Sequence, residues 1–190
     1  MKAPIGIGVL CFAHGHVQSY VDVMKEFPDV RLLTAYDDKP ERARPICERV
    51  GMRYTPHVED VLNDANVQAV MIGSETSRHA ELAVAAARAG KHILVQKPMA
   101  LSLEDCDRMI AAADKAKVSL AIGFQMRHDP ANIKMCELVQ SGALGKIWIG
   151  ADQRGELAGQ MEDSIHSFVL RAELLVEGDL LELGHPLFQG

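Results

Sequence analysis

Short apolar runs alternate with amphipathic stretches from Ile5 to Ser141, with only a few residues between them. The runs at 5–12, 30–36, 67–73, 93–95 and 118–123 read as strands, apolar almost throughout rather than at every second position. That pattern belongs to strands covered on both faces. Val17, Tyr20, Val21, Met24 and Phe27 recur at helical spacing and Pro28 stops the segment, which predicts a helix over 17–27. Further helices are expected over 40–50 with Gly51 as stop, 58–62, 79–89 with Gly90 as stop, 102–116 and 132–141. Pro45 falls inside the second of these and predicts a kink or a late start. Ser102 followed by Asp105 is a variant capping box. Crossovers between parallel strands are right-handed and their helices must cover both sides of the sheet. The expected fold class is therefore α/β, with a doubly wound parallel sheet.

Ligands of such sheets sit at the carboxyl ends of the strands, so the exits at 11–16, 36–38, 73–79, 96–98 and 123–130 carry the candidate residues. The first exit reads Cys11-Phe12-Ala13-His14-Gly15-His16. A dinucleotide fingerprint G-x-G-x-x-G would find Cys, Ala and His at its three places, with Gly15 off register. Cys and Ala are still small enough for a pyrophosphate to approach the backbone, and a helix opening near His16 would present free N–H groups. A plain strand–helix turn fits the same residues. At the second exit, Asp37 can accept both hydroxyls of an adenosine ribose, and Asp38 would repel a 2′-phosphate. That favours NAD over NADP, a preference that Lys39 and Arg42 weaken. An acid pair facing a helix dipole is the alternative. At the third exit, Ser74 and Thr76 can line a nucleotide, and Thr76, Ser77 and His79 can equally be caps. At the fourth, Pro98 restricts Lys97 to extended geometry. A lysine held there can position a substrate hydroxyl and relay its proton, and partial burial would ease that release. An ordinary surface lysine beside a turn is the alternative.

Composition narrows the classes. With 190 residues, 48% of them hydrophobic and 24% charged, the chain has a globular and not a disordered balance. No run approaches the ~20 apolar residues of a membrane span. Residues 151–190 hold eight acids and two bases, and so the whole formal charge of −6. The remainder is neutral, which implies no basic face and no nucleic-acid partner. Met1-Lys2-Ala3-Pro4 runs straight into the first apolar run without a signal-peptide pattern. Cys11, Cys47, Cys106 and Cys136 show no close pairing, which reads as reduced thiols in a cytoplasmic protein, with no zinc site and no other metal expected.

Four segments, in order, resemble the Gfo/Idh/MocA family, which includes glucose–fructose oxidoreductase and inositol dehydrogenase. Residues 89–98, Ala-Gly-Lys-His-Ile-Leu-Val-Gln-Lys-Pro, are similar to that family's A-G-K-H-V-x-x-E-K-P. Residues 36–43, the helix opening at 79–83, and Gly123-Phe124-Gln125-Met126-Arg127-His128-Asp129-Pro130 (compare G-F-N-x-R-F-x-P) support it. The resemblance implies a Rossmann NAD(P)-binding domain over 1–122. It also implies the start of an incomplete α+β substrate or dimerisation domain over 123–190. It implies NAD, rather than NADP, and hydride transfer at a hydroxyl or carbonyl carbon of a sugar or cyclitol. Carried over by position, Lys97 is the substrate-orienting, proton-relay lysine. Phe12, Ala13, His14, Asp37, Ser74, Thr76, His79, Gln96 and Arg127 line the cofactor cleft. Glu182 and His185 match a carboxylate–histidine pair that the family spaces four apart, here three apart. Gln96 stands at a usual Glu, Glu75 at a usual Pro and Gln125 at a usual Asn. Family members run well past 300 residues, so the expectation is a chain ending inside the second domain, with a small-molecule partner and a homo-oligomer through its last segment. The other readings are a non-catalytic nucleotide-binding relative or fragment and an NAD-using glycosidase-like relative.

Overall fold

The computed structural model describes residues 3–143, residue 145 and the pairs 150–151 and 157–158. The chain divides into two compact units, residues 1–123 and residues 124–190.

The first unit is built on β1 (Ile5–Leu10), α1 (Gly15–Met24), β2 (Val30–Tyr36), α2 (Pro40–Val50), β3 (Arg53–Thr55), α3 (Val58–Leu62), β4 (Ala69–Ile72), α4 (His79–Arg88), β5 (His92–Val95), α5 (Leu103–Ala116) and β6 (Leu120–Ile122). The strands form one six-stranded sheet in the order β3-β2-β1-β4-β5-β6. Every neighbouring pair is parallel. All strands therefore exit along one edge, and the order reverses between β1 and β4.

Alternation along each strand divides the core. Val9 and Met71 face one side with Val17 and Val21 of α1 and Ala43, Ile46 and Cys47 of α2. Leu10, Val70 and Ile72 face the other side with Val61 and Leu62 of α3, the alanines of α4 and Met109 of α5. Both faces are thus covered, which is why the central strands read as unbroken apolar runs. Gly73 marks a tight crossing of α1 over the sheet. A Cβ there would overlap the Val17 side chain and lie 2.9 Å from the Cys11 carbonyl oxygen, so only glycine lets α1 pack onto the β4 exit.

The differences from the sequence reading are local. β3 carries no apolar run: Arg53-Tyr54-Thr55 is a three-residue edge strand held by pairing with β2, and periodicity cannot reveal it. α1 begins earlier than expected because His14 caps it, accepting from the His16 N–H at 3.4 Å, and it ends at Met24. α2 starts at Pro40, so no late start occurs at Pro45, which costs the helix only the bond that would reach the Glu41 carbonyl. A 3₁₀ turn, Thr76–Arg78, precedes α4. Ser102 caps α5 by accepting from the Asp105 N–H at 3.1 Å.

At the opposite end of the strands, the buried Lys91 ammonium donates to the carbonyl oxygens of Asp64 and Val67, each at 2.7 Å. It ties the α4–β5 turn to the α3–β4 turn. Lys91→Met should leave both carbonyls short of a donor and lower stability by about 3 kcal/mol. Urea unfolding followed by circular dichroism measures it, and a loss below about 1 kcal/mol would refute this role for the lysine.

In the second unit, a 3₁₀ turn (Gln125–His128) leads into α6 (Pro130–Gln140). Asp129 caps α6, accepting from the N–H groups of Ala131 at 2.9 Å and Asn132 at 3.2 Å. A two-rung antiparallel ladder pairs β7 (Gly150–Ala151) with β8 (Leu157–Ala158). Among the described residues, no helix is long and apolar enough to cross a membrane.

Candidate cofactor crevice

The parallel sheet brings the exits of β1, β2, β4 and β5 to one edge, with the crevice at the β1/β4 reversal. Cys11 leaves β1 with φ +77°, a conformation in which glycine alone is unstrained. This is the first glycine place of the degraded fingerprint, and the turn keeps the backbone shape without the residue type. Its thiol is buried, and that burial pushes it up to about 11. The chain then runs through Phe12 and Ala13 to the α1 N-terminus. Space around Gly15 is open, with nothing within 4 Å of where a Cβ would lie.

Asp37, expected at the adenosine ribose, is occupied in this structure by protein groups. Its side chain is fully buried and accepts from the Phe12 N–H at 2.8 Å and the Lys39 N–H at 2.8 Å. Arg42 adds a two-pronged contact, Nη2 to Oδ1 at 2.7 Å and Nε to Oδ2 at 2.9 Å. Burial alone would raise this carboxyl. The hydrogen bonds from Arg42, Phe12 and Lys39 outweigh it and hold the group below its ordinary value of 3.8. Asp37 therefore locks the first exit to the second, and Arg42 must move before a ribose can reach it.

The lowered value fixes a sign. The stabilisation is fully present above pH 3.8, the unfolded value, and is lost as pH falls through the lower folded one. Arg42→Met should leave a buried carboxylate without its cation, cost on the order of 2–4 kcal/mol at pH 7 and move acid unfolding to higher pH. Circular dichroism against pH reads both, and an unmoved acid midpoint would refute the linkage.

Cys11, Asp37 and Asp38 bring one potential metal-ligand atom each within 4.8 Å of one another. Arg42 already sits among them, its Nη2 donating to Cys11 Sγ at 3.0 Å and to Asp38 at 3.0 Å. The trio is thus a guanidinium cradle.

His79, expected either at the cofactor or as a cap, makes its contacts with backbone carbonyls. It is fully buried, with Nδ1 3.0 Å from the Pro98 carbonyl oxygen and 3.2 Å from that of Met99. Its Nε2 lies 3.1 Å from the Ser74 carbonyl oxygen. The ring bridges the third exit and the Lys97–Pro98 turn, whose peptide bond is cis. Ser74 is buried too, its hydroxyl donating to the Glu75 carbonyl at 3.1 Å, while Thr76 is half-buried in the 3₁₀ turn.

Lys97 is exposed, so the partial burial expected for it is not supplied by the described residues. Its charge nevertheless reaches the first exit. The His14 imidazole is held below its usual 6.5, first by burial and then by His16, Lys97 and His79. Beside Lys97, the Gln96 amide is buried with neither its nitrogen nor its oxygen hydrogen-bonded, lying 3.3–3.4 Å from the place of a Cβ on Gly123. Arg127 belongs to the second unit, where its guanidinium stacks 4.8 Å from the Phe124 ring. Glu182 and His185 lie outside the described residues. A cavity of about 490 Å³ lined by Gly6, Arg31, Thr34, Arg53, Asn66 and Gln68 opens at the amino ends of the strands, away from this edge.

The residues present fit a dinucleotide. Open space lies before the α1 N-terminus, and an orphaned amide stands at the β5 exit.

Residues 4–124 match the Gfo/Idh/MocA family, an oxidoreductase family with an NAD-binding Rossmann fold. The myo-inositol 2-dehydrogenase of Thermotoga maritima is 36% identical over 145 residues, which is 75% of this chain and 41% of that protein. The scyllo-inositol 2-dehydrogenase (NAD(+)) of Bacillus subtilis is 31% identical over 148 residues, covering 76% and 41%. A crystal structure described as a probable dehydrogenase from Thermotoga maritima superposes with a TM-score of 0.67 at 34% identity, over 75% of this chain and 42% of that one. The chain thus spans 41% of the length of these two curated relatives.

Proposed function

Because the chain belongs to the Gfo/Idh/MocA oxidoreductase family, with its NAD-binding Rossmann fold, we propose that it binds NAD along the strand exits and serves hydride transfer at a carbinol carbon of a cyclitol or sugar. Two relatives are named as inositol 2-dehydrogenases, which supports the substrate class. The bound nicotinamide would supply the hydride acceptor. This chain supplies the rest. The α1 N-terminus and its preceding turn face the pyrophosphate. Gln96, with an unpaired donor and acceptor, stands ready to satisfy a polar group at the nicotinamide side. In its neutral amine form Lys97 accepts the hydroxyl proton as the carbinol is oxidised, becomes the ammonium, and returns that proton in the reverse direction. His79 holds the Lys97–Pro98 turn against the Ser74 loop, fixing the base of the lysine.

The observation that carries this reading is the buried Gln96 amide, unpaired at both its nitrogen and its oxygen, beside Lys97 at the β5 exit on the edge where β1, β2 and β4 also end. The test is a fluorescence titration with NADH, followed by absorbance at the reduced-nicotinamide band with myo- and scyllo-inositol. Binding with a Kd below about 1 mM is expected. No binding at that level would overturn the reading.

A further inference from the structure

We propose that the cavity at the amino ends of the strands binds a small phosphate monoester, a sugar or polyol carrying one phosphoryl group, with Arg31 and Arg53 on the phosphate. The site lies at the edge of the sheet opposite the cofactor crevice and does not depend on the dinucleotide reading.

The cavity holds about 490 Å³, within the range of small-molecule sites. A bulge in β2 shapes one wall. β1 advances two residues from Ile7 to Val9 while β2 advances three, from Leu32 to Ala35. The extra residue brings the consecutive Leu33 and Thr34 to the same cavity, where a regular strand would send them to opposite faces. The other wall is the turn between α3 and β4. Gly6 lets that turn close onto β1, since a Cβ there would overlap the Asn66 carbonyl oxygen. Two side chains fix it: Gln68 Oε1 accepts from the Gly6 N–H, and the Lys91 ammonium holds the Asp64 and Val67 carbonyls. Walls fixed in this way leave little to be ordered when a ligand enters.

Two guanidiniums line this cavity without an acid to pair them. Arg53 Nε donates to Thr34 Oγ1 at 3.4 Å, and among the described residues its two Nη groups have no hydrogen-bond partner. Arg31 makes no side-chain hydrogen bond or ion pair among the described residues. Asp64, the acid of the lining, is turned into its own loop: its Oδ1 accepts from the Asn66 N–H at 2.9 Å and from Asn66 Nδ2 at 3.0 Å. Those bonds hold its carboxyl below the ordinary value of 3.8, with smaller contributions from the Arg53 and Lys91 charges. Arg31, Arg53 and Lys91 thus stand against a single carboxylate around the cavity. A phosphate monoester is close to a dianion at pH 7, and its oxygens match guanidinium forks. The rest of such a molecule also finds partners. Gln68 Nε2 and the Thr34 hydroxyl can meet its hydroxyl groups, and Pro4, Leu33 and Ala65 can cover its carbon skeleton.

Isothermal titration calorimetry of the full chain tests the site, with glucose-6-phosphate, inorganic phosphate and glucose as probes at constant ionic strength. The panel is the parent, Arg31→Met, Arg53→Met, Asp64→Asn and Arg78→Met. Both cavity arginines are exposed, so methionine removes the charge without opening the core, and circular dichroism checks that each variant is folded. Arg78 carries the same charge at the carboxyl edge, where it faces Asp38. The parent should bind glucose-6-phosphate with a Kd below about 1 mM, inorganic phosphate about tenfold more weakly, and glucose not measurably. Arg31→Met and Arg53→Met should each weaken the ester about tenfold. Asp64→Asn keeps the oxygen that accepts from Asn66 and removes the charge, so it should tighten binding about threefold. Arg78→Met should leave the Kd within about twofold. A parent Kd above about 1 mM for the ester overturns the proposal, as does an unchanged affinity in both cavity variants. A loss in Arg78→Met equal to theirs overturns it too, because the ester would then sit at the cofactor edge. Inorganic phosphate bound as tightly as the ester, or glucose bound as tightly, overturns the choice of a phosphate monoester.

Discussion

On the proposed reaction, Lys97→Met should cut cyclitol oxidation sharply while leaving cofactor binding in place. The expected loss in turnover is about 10³-fold, within the range that a positioned proton acceptor contributes. The NADH dissociation constant should change by less than about fivefold, because the methionine keeps most of the stem and the ammonium is not part of the buried frame. Lys97→Arg should not rescue turnover, since a guanidinium cannot accept a proton at neutral pH. Reduced-nicotinamide absorbance under saturating cofactor gives the first number, and fluorescence titration gives the second. Turnover retained within tenfold in Lys97→Met would remove the lysine from the proton path. Loss of cofactor binding in parallel would instead make it a binding residue.

Gly73→Ala should bring a large loss of stability. The new methyl group would overlap the Val17 side chain and sit 2.9 Å from the Cys11 carbonyl oxygen. Val17 is fully buried and Cys11 Sγ is held by Arg42, so neither neighbour yields freely. The expected cost is about 3 kcal/mol or more, at the upper end of overpacking effects. In a chain of this size, that corresponds to a fall in Tm of roughly 6–12 °C. Adding Val17→Ala should recover part of the loss, because the two side chains compete for one space. A single variant as stable as the parent would show that α1 can slide on the β4 exit. The same motion would widen the pyrophosphate turn, so the variant's NADH affinity reports on the crevice as well.

The regular parts of the fold are legible in the chain because they are local. Strands buried on both faces must be apolar at consecutive positions, and the helices beside them must repeat at 3.6, so β1, β2, β4 and β5 announce themselves. Caps such as Ser102 and stops such as Gly51 and Gly90 act within one turn of where they stand. β3 escapes notice for the converse reason. Three residues at a sheet edge owe their conformation to pairing with β2 and to nothing in their own pattern. The degraded fingerprint is a mixed case. Spacing points to the turn, yet only the backbone shows that Cys11 adopts the positive φ that a glycine would have supplied.

The candidate residues divide along the same line. Alternation and the Lys-Pro turn were enough to name a doubly wound sheet and the edge where ligands bind, since both follow from the order of residue types along the chain. Which of two adjacent acids faces inward was not, because Asp37 and Asp38 differ only in the side of the strand exit on which they fall. The Lys-Pro turn singles out Lys97 within the 89–98 segment, whereas the role of Lys91 shows only when the fold carries it to the Asp64 and Val67 carbonyls. His79 acquires its bridging role only when Ser74 and Pro98 close on it. Periodicity is written into neighbouring residues, whereas the partner of a charged or polar group is chosen by whichever distant segment the packing brings within about 3 Å of it.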